Sequence, residues 1–140
     1  MGDSSARAPT VLIVDDLPLN VMLLSHFLEA EGFRTTSASS ATEALAASRQ
    51  HQPDIILLDV VLPDQSGFEL CSRLKSDSRT ADIPVVFLSA LDDSVSKVRG
   101  LETGGVGFIS KPVHPEDVLA AVRLHLHLAE KNRAIARQLA

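Results

Sequence analysis

The 140-residue chain has a single cysteine, Cys71, which excludes an internal disulfide and a cysteine-based zinc cluster and fits a reducing compartment. No apolar run approaches the roughly 20 residues of a membrane span, so no membrane role is expected. The N-terminus lacks the apolar region of a signal peptide. Ala6 stands where a myristoylation pattern starting at Gly2 needs Ser or Thr. Basic residues are not in excess: 18 acidic against 13 basic side chains leave a net charge of −5, which argues against direct, sequence-independent nucleic-acid binding. His26, His51, His114, His125 and His127 share no spacing that suggests a metal site. Internal repeats and low-complexity tracts are also absent. What these absences leave is a cytoplasmic globular domain, one by length, whose 45% hydrophobic residues suffice for a core without staples.

The chain is organised around residues 53–67, Pro-Asp-Ile-Ile-Leu-Leu-Asp-Val-Val-Leu-Pro-Asp-Gln-Ser-Gly. Four consecutive apolar residues, 55–58, are too few for a buried helix and suit a strand buried on both faces. Asp59 follows at once, and Pro63 and Gly67 punctuate the loop beyond it. Residues 11–14 form a second such tetrad and also end in acid, Asp15-Asp16. Pro18 suits the first turn of a helix with Asp16 as its expected cap, and Val21, Leu24, Phe27 and Leu28 recur at helical spacing until Gly32. Residues 33–37 read as a short strand, and Ser40 with Glu43 as a capping box opening a second helix. Ser66 is expected to cap a third helix carrying Leu70, Cys71 and Leu74, which frays into a polar loop over 76–82. Residues 84–88 give a fourth strand ending at Ser89, and Asp92 or Asp93 caps a helix with Val95, Val98 and Leu101 along one side. Residues 106–109 give the fifth strand, ending at Ser110-Lys111-Pro112, and a last helix runs from Glu116 to the end. Five strand–helix alternations predict an α/β, flavodoxin-like, doubly wound parallel sheet of five strands with helices on both faces.

In a parallel sheet the carboxyl ends of the strands share one edge, and ligands bind there. That edge gathers Asp15 and Asp16 from the first strand, Asp59 from the third, Ser89 from the fourth and Lys111 from the fifth. Each alone has a dull reading: a helix cap, a turn aspartate, a strand-ending serine, a surface lysine. Together they point to chemistry. Three crowded carboxylates repel one another, and a hard divalent cation relieves that repulsion; all-oxygen ligation with room for water suits Mg²⁺. A metal, an ammonium group and a hydroxyl around one carboxylate make a site for a phosphoryl group, with Asp59 as nucleophile.

The set Asp15-Asp16, Asp59 with Leu62-Pro63 and Gly67, Ser89-Ala90 and Lys111-Pro112 resembles the receiver domain of two-component response regulators, over about residues 10–128. The resemblance implies that Asp59 is the phosphoacceptor, with Lys111 and Ser89 assisting. It implies that Asp16, Asp59 and the backbone carbonyl of Val61 bind Mg²⁺ (or Mn²⁺ as a substitute), and that Asp15 acts through a water. Ser89 and Phe108 would form the switch pair, and Lys111-Pro112 would be cis. It further implies a histidine kinase or histidine phosphotransfer protein as phosphodonor, and a domain that catalyses its own phosphorylation and dephosphorylation without being an enzyme of the usual turnover kind. Gly107, Phe108 and Val113 depart from the commonest residues at their positions, which touches the switch and not the acidic site. The alternative is a pseudo-receiver, unphosphorylated and serving as an interaction or dimerisation module.

Two segments flank this unit. Residues 1–9 read as a disordered tail, and 129–140 as an extension of the last helix, a linker to an output domain absent from this chain. Leu124, Leu128 and Ile135 lie in a heptad-like register interrupted by Lys131, so a homodimer could form through this extension or through the face of the fourth helix, fifth strand and last helix.

Overall fold

The computed structural model describes residues 8–91 and 93–139. Most of the expected N-terminal tail, and Asp92, lie outside the described residues. Within them the order is β1 (Thr10–Val14), α1 (Pro18–Ala30), β2 (Arg34–Ala38), α2 (Ala41–His51), β3 (Ile55–Asp59), α3 (Gly67–Lys75), β4 (Val85–Ser89), α4 (Ser94–Glu102), β5 (Gly107–Ser110) and α5 (Pro115–Leu139). The strands form one sheet in the order β2-β1-β3-β4-β5, and every pairing is parallel. This is the doubly wound architecture expected from the sequence.

The all-apolar tetrads work because the sheet is covered on both faces. Successive residues of a strand point to opposite faces, and the core divides accordingly. Leu12, Val14, Ile56, Leu58, Val85 and Phe87 pack with Ala44 and Leu45 of α2 and Leu70 and Leu74 of α3. Val11, Ile13, Ile55, Leu57, Val86 and Leu88 pack with Leu24 and Leu28 of α1 and Val118 and Val122 of α5. The polar sequence of β2 fits its place at the sheet's edge. Cys71 is a free, fully buried thiol within the first of these layers, as its helical neighbours suggested.

Several local expectations shift. The strands β2 and β5 each start one residue later than the sequence indicated. The segment after α3 is knit together instead of frayed: Asp77 accepts from Arg49 and Arg79, which holds its carboxyl far below the usual carboxylate range. The Thr80 hydroxyl, buried nearby, donates to the Leu74 carbonyl at 2.7 Å. The cap of α4 is Asp93, which accepts from the Ser96 amide. Val95, Val98 and Leu101 of that helix are exposed.

Gly100 is the buried residue of α4, and it explains a glycine where helix propensity disfavours one. The ring of Phe87 lies against it, and a Cβ at Gly100 would stand 3.0 Å from Phe87 Cδ2. Gly105 is tighter still, since a Cβ there would fall 2.4 Å from Phe87 Cε2. The same ring meets Phe68 at 5.2 Å and Phe108 at 6.2 Å between centroids. Phe87 has no free side into which to retreat. The substitution Gly105→Ala is therefore expected to destabilise the fold by about 1–3 kcal/mol, the usual range for overpacking, measured as a lowered urea midpoint. An unchanged midpoint would mean that the ring can move aside.

Candidate functional site

The strand ladders continue past their formal ends and carry the polar residues with them. The Asp15 amide donates to the Ala38 carbonyl at 3.1 Å, and the Lys111 amide to the Ser89 carbonyl at 2.8 Å. Asp59 is itself the last residue of β3, opposite Leu88 of β4. The carboxylates of Asp15, Asp16 and Asp59 consequently gather, each offering an oxygen within 4.8 Å of the others. Asp15 and Asp59 are almost fully buried, at 2% and 5% exposure, and Asp16 opens to solvent.

Each buried carboxylate is held. Asp15 accepts from the Leu17 amide at 2.9 Å through Oδ1 and from Asn20 Nδ2 at 3.1 Å through Oδ2. It is thus Asp15, and not Asp16, that makes the polar link to the start of α1; Leu17 occupies the cap position without a side-chain bond. Asp16 is left to face the opening. Asp59 Oδ1 accepts from the Val61 amide at 3.1 Å, and Asp59 Oδ2 from Lys111 Nζ at 2.9 Å. Lys111 Nζ also stands 3.9 Å from Asp15 Oδ2, so one ammonium group serves both buried acids. The Lys111–Pro112 peptide is cis.

The other two residues named from the sequence sit differently. Ser89 ends β4 one position beyond the partner of Asp59 and is 1% exposed; its Oγ accepts from the Leu91 amide at 3.0 Å. Phe108 is partly buried beside Phe87, on the α2–α3 side of the sheet. The structure thus brings Asp15, Asp16, Asp59 and Lys111 together, while Ser89 ends the neighbouring strand.

The donor set fits a small hard cation. All three acids offer oxygen, and two ligands of one Mg²⁺ stand at most about 4.2 Å apart given bonds near 2.1 Å. Oxygens that all lie within 4.8 Å of one another are near enough to that separation for the cluster to hold such an ion.

Two residues of this region escaped the sequence reading. Gly67 was read as loop punctuation, yet a Cβ there would lie 2.4 Å from the Asp59 carbonyl oxygen. Its amide donates to the Val60 carbonyl at 2.7 Å, closing the β3–α3 loop at its base. Asp64, at the tip of that loop, accepts from the Ala41 and Thr42 amides and from the Thr42 hydroxyl at the start of α2. An aspartate after proline in a loop carries no sequence signal for such a distant partner.

Five parallel strands in this order, with an acidic cluster at their carboxyl edge, define a CheY-like receiver fold, and the comparisons agree. The sequence matches the response regulator receiver domain model over residues 11–123. It is 42% identical over 113 residues to the response regulator PleD of Caulobacter vibrioides, covering 81% of this chain and 25% of that protein. It is 40% identical over 123 residues to RpaA of Synechocystis, a DNA-binding dual master transcriptional regulator, covering 88% of this chain and 51% of that protein. A CheY-like response regulator receiver domain protein of Methanospirillum hungatei superposes with a TM-score of 0.84 at 28% identity, covering 89% of this chain and 98% of that one.

The chain belongs to the response regulator receiver domain family, whose members act in two-component signal transduction by phosphorylation. It spans a quarter to about half the length of these curated relatives. Because RpaA and MtrA are named as DNA-binding regulators, the expectation that nucleic acid is no partner finds no support among them. Among the described residues no helix is long and apolar enough to cross a membrane.

The three bonds to Asp64 hold its carboxyl well down, from an ordinary 3.8 to about 2. A carboxyl whose folded pKa is depressed contributes stability above its unfolded pKa and loses it as pH falls through the folded value. The urea midpoints of the wild type and of Asp64→Asn are accordingly expected to differ at about pH 5 and to converge toward about pH 2. A constant difference across that range would contradict the assignment.

Proposed function

We propose that the domain accepts a phosphoryl group on Asp59 from a phosphohistidine donor, in a reaction that requires Mg²⁺. The observation that carries this reading is the Asp59 carboxylate, nearly buried, 2.9 Å from Lys111 Nζ and grouped with Asp15 and Asp16. A buried carboxylate that needed only charge balance would have it from Lys111. Two further acids at the same place call for additional positive charge.

Asp16, Asp59 and the Val61 carbonyl would hold the ion, with Asp15 acting through a water. The bound cation supplies neutralisation of charge on the incoming phosphoryl oxygens. A carboxylate oxygen of Asp59 attacks phosphorus in line as the phosphorus–nitrogen bond of the donor breaks, and the electron pair returns to the donor's imidazole. Lys111, already hydrogen-bonded to Asp59, pairs with a phosphoryl oxygen as the group arrives. Hydrolysis reverses the connectivity: a water oxygen bonds to phosphorus and the Asp59 carboxylate leaves.

For signalling, the Ser89 hydroxyl exchanges the Leu91 amide for a phosphoryl oxygen, and Phe108 turns into the space that this vacates. A phosphoryl group adds about −1.5 to −2 charge at the edge of the sheet, which biases a two-state face. That face is α4, β5 and α5, where Val95, Val98, Leu101, Val106 and Leu124 are exposed; it suits an output domain or a second copy of the chain. The donor, a histidine kinase or a histidine phosphotransfer protein, would approach along the groove of about 870 Å³ lined by Met22, Leu23, Phe27, Pro112 and Val113, which reaches Lys111.

Asp59→Asn is expected to abolish Mg²⁺-dependent labelling by a small acyl phosphate, followed as a mass increase of the intact protein. Chelation with EDTA should abolish labelling of the wild type. Labelling that survives either treatment would overturn the reading.

A further inference from the structure

The first four backbone amides of an α-helix lack intrahelical partners. In α2 the amides of Ala41, Thr42 and Glu43 are satisfied, and from two sources. Ser40 supplies the local cap: its Oγ accepts from the Glu43 amide at 3.1 Å and its carbonyl from the Ala44 amide at 3.0 Å. The Glu43 carboxylate turns back to the Ser39 amide and hydroxyl. The remaining amides, of Ala41 and Thr42, donate to Asp64 Oδ1 and Oδ2 at 2.9 and 3.0 Å, and the Thr42 hydroxyl adds a third bond at 3.0 Å. These contacts bridge 22 and 23 residues of chain.

Seen from the loop, the arrangement has a second meaning. The β3–α3 loop is closed at its base by the Gly67 amide on the Val60 carbonyl and by the pairing of Val61 with Ser66. Leu62 is buried in the core, whereas Pro63 and Asp64 at the tip beyond it are both exposed. What fixes the tip is the carboxylate of Asp64 on the end of α2, favoured further by the helix dipole. Val61 belongs to that base, its amide also donating to Asp59 Oδ1 at 3.1 Å, and it lies three residues before the tip.

We propose that Asp64 is a positioning residue for the metal site: by clasping the first two amides of α2 it holds the β3–α3 loop so that Val61 presents its carbonyl to the ion bound by Asp16 and Asp59. The inference rests on the Mg²⁺ reading above and adds a residue that does not touch the ion. Asparagine cannot replace aspartate here, because both carboxylate oxygens accept and an amide nitrogen cannot.

The test is calorimetric titration of the 140-residue chain with MgCl₂, combined with thermal unfolding. Asp64→Asn is expected to raise the Mg²⁺ Kd about five- to tenfold, and Thr42→Val, which removes one of the three bonds, about two- to threefold. Ser40→Ala weakens the same helix end without touching the loop; it is expected to lower the Tm and leave the Kd unchanged. Should Asp64→Asn not fold, the Kd of Thr42→Val decides. Unchanged affinity in the Asp64 and Thr42 variants, or equal weakening by Ser40→Ala, would overturn the positioning role while leaving the metal site intact. Absence of Mg²⁺ binding by the wild type would overturn both.

Discussion

Asp15 and Asp59 are buried within the reach of a single ammonium group, and most of the structure serves that arrangement. An ionised carboxylate out of water is costly unless charge and hydrogen bonds compensate for it. Here the compensation comes from separate elements: the Lys111 amine beyond β5, the backbone amides of Leu17 and Val61, and the side chain of Asn20. No one segment can form the site. It exists only when β1, β3 and β5 are in register, so the parallel sheet is a precondition of the chemistry.

The sheet in turn depends on burial that leaves polar groups to its edge. Apart from Thr10 at the start of β1, each central strand is apolar until its last residue or the one beyond, and the polar residues fall where hydrophobic cover ends. Continued ladder bonds at Asp15 and Lys111 extend order slightly past the core. Held this way, the side chains need no loop of their own to be placed.

This is why so much was legible in the sequence. The tetrads at 11–14 and 55–58 mark two central strands, and the acids that end or follow them, with the lysine after the fifth strand, are the residues the structure gathers. Parallel topology then required those residues to meet. What the sequence did not disclose was contact between segments without periodicity. The side-chain cap expected from Asp16 does not form: Leu17 holds the cap position without one, and it is Asp15 that accepts from the Leu17 amide and the Asn20 side chain. Gly67 reads as loop punctuation and Asp64 carries no pattern, yet Gly67 bonds the Val60 carbonyl with no room for a side chain and Asp64 reaches the start of α2. The sequence sets Val95, Val98 and Leu101 along one side of α4, and that side faces solvent; apolar spacing identifies a helix face and not what covers it.

That exposed helix has a dynamic consequence. Of the described residues of α4, Gly100 alone is buried, and the helix meets the interior chiefly across the Phe87 ring. A segment with so little apolar area to surrender unfastens from the body at a free energy far below that of global unfolding. On the reading proposed above, added charge at the acidic site would bias this helix well before it disturbed the tetrad strands beneath it.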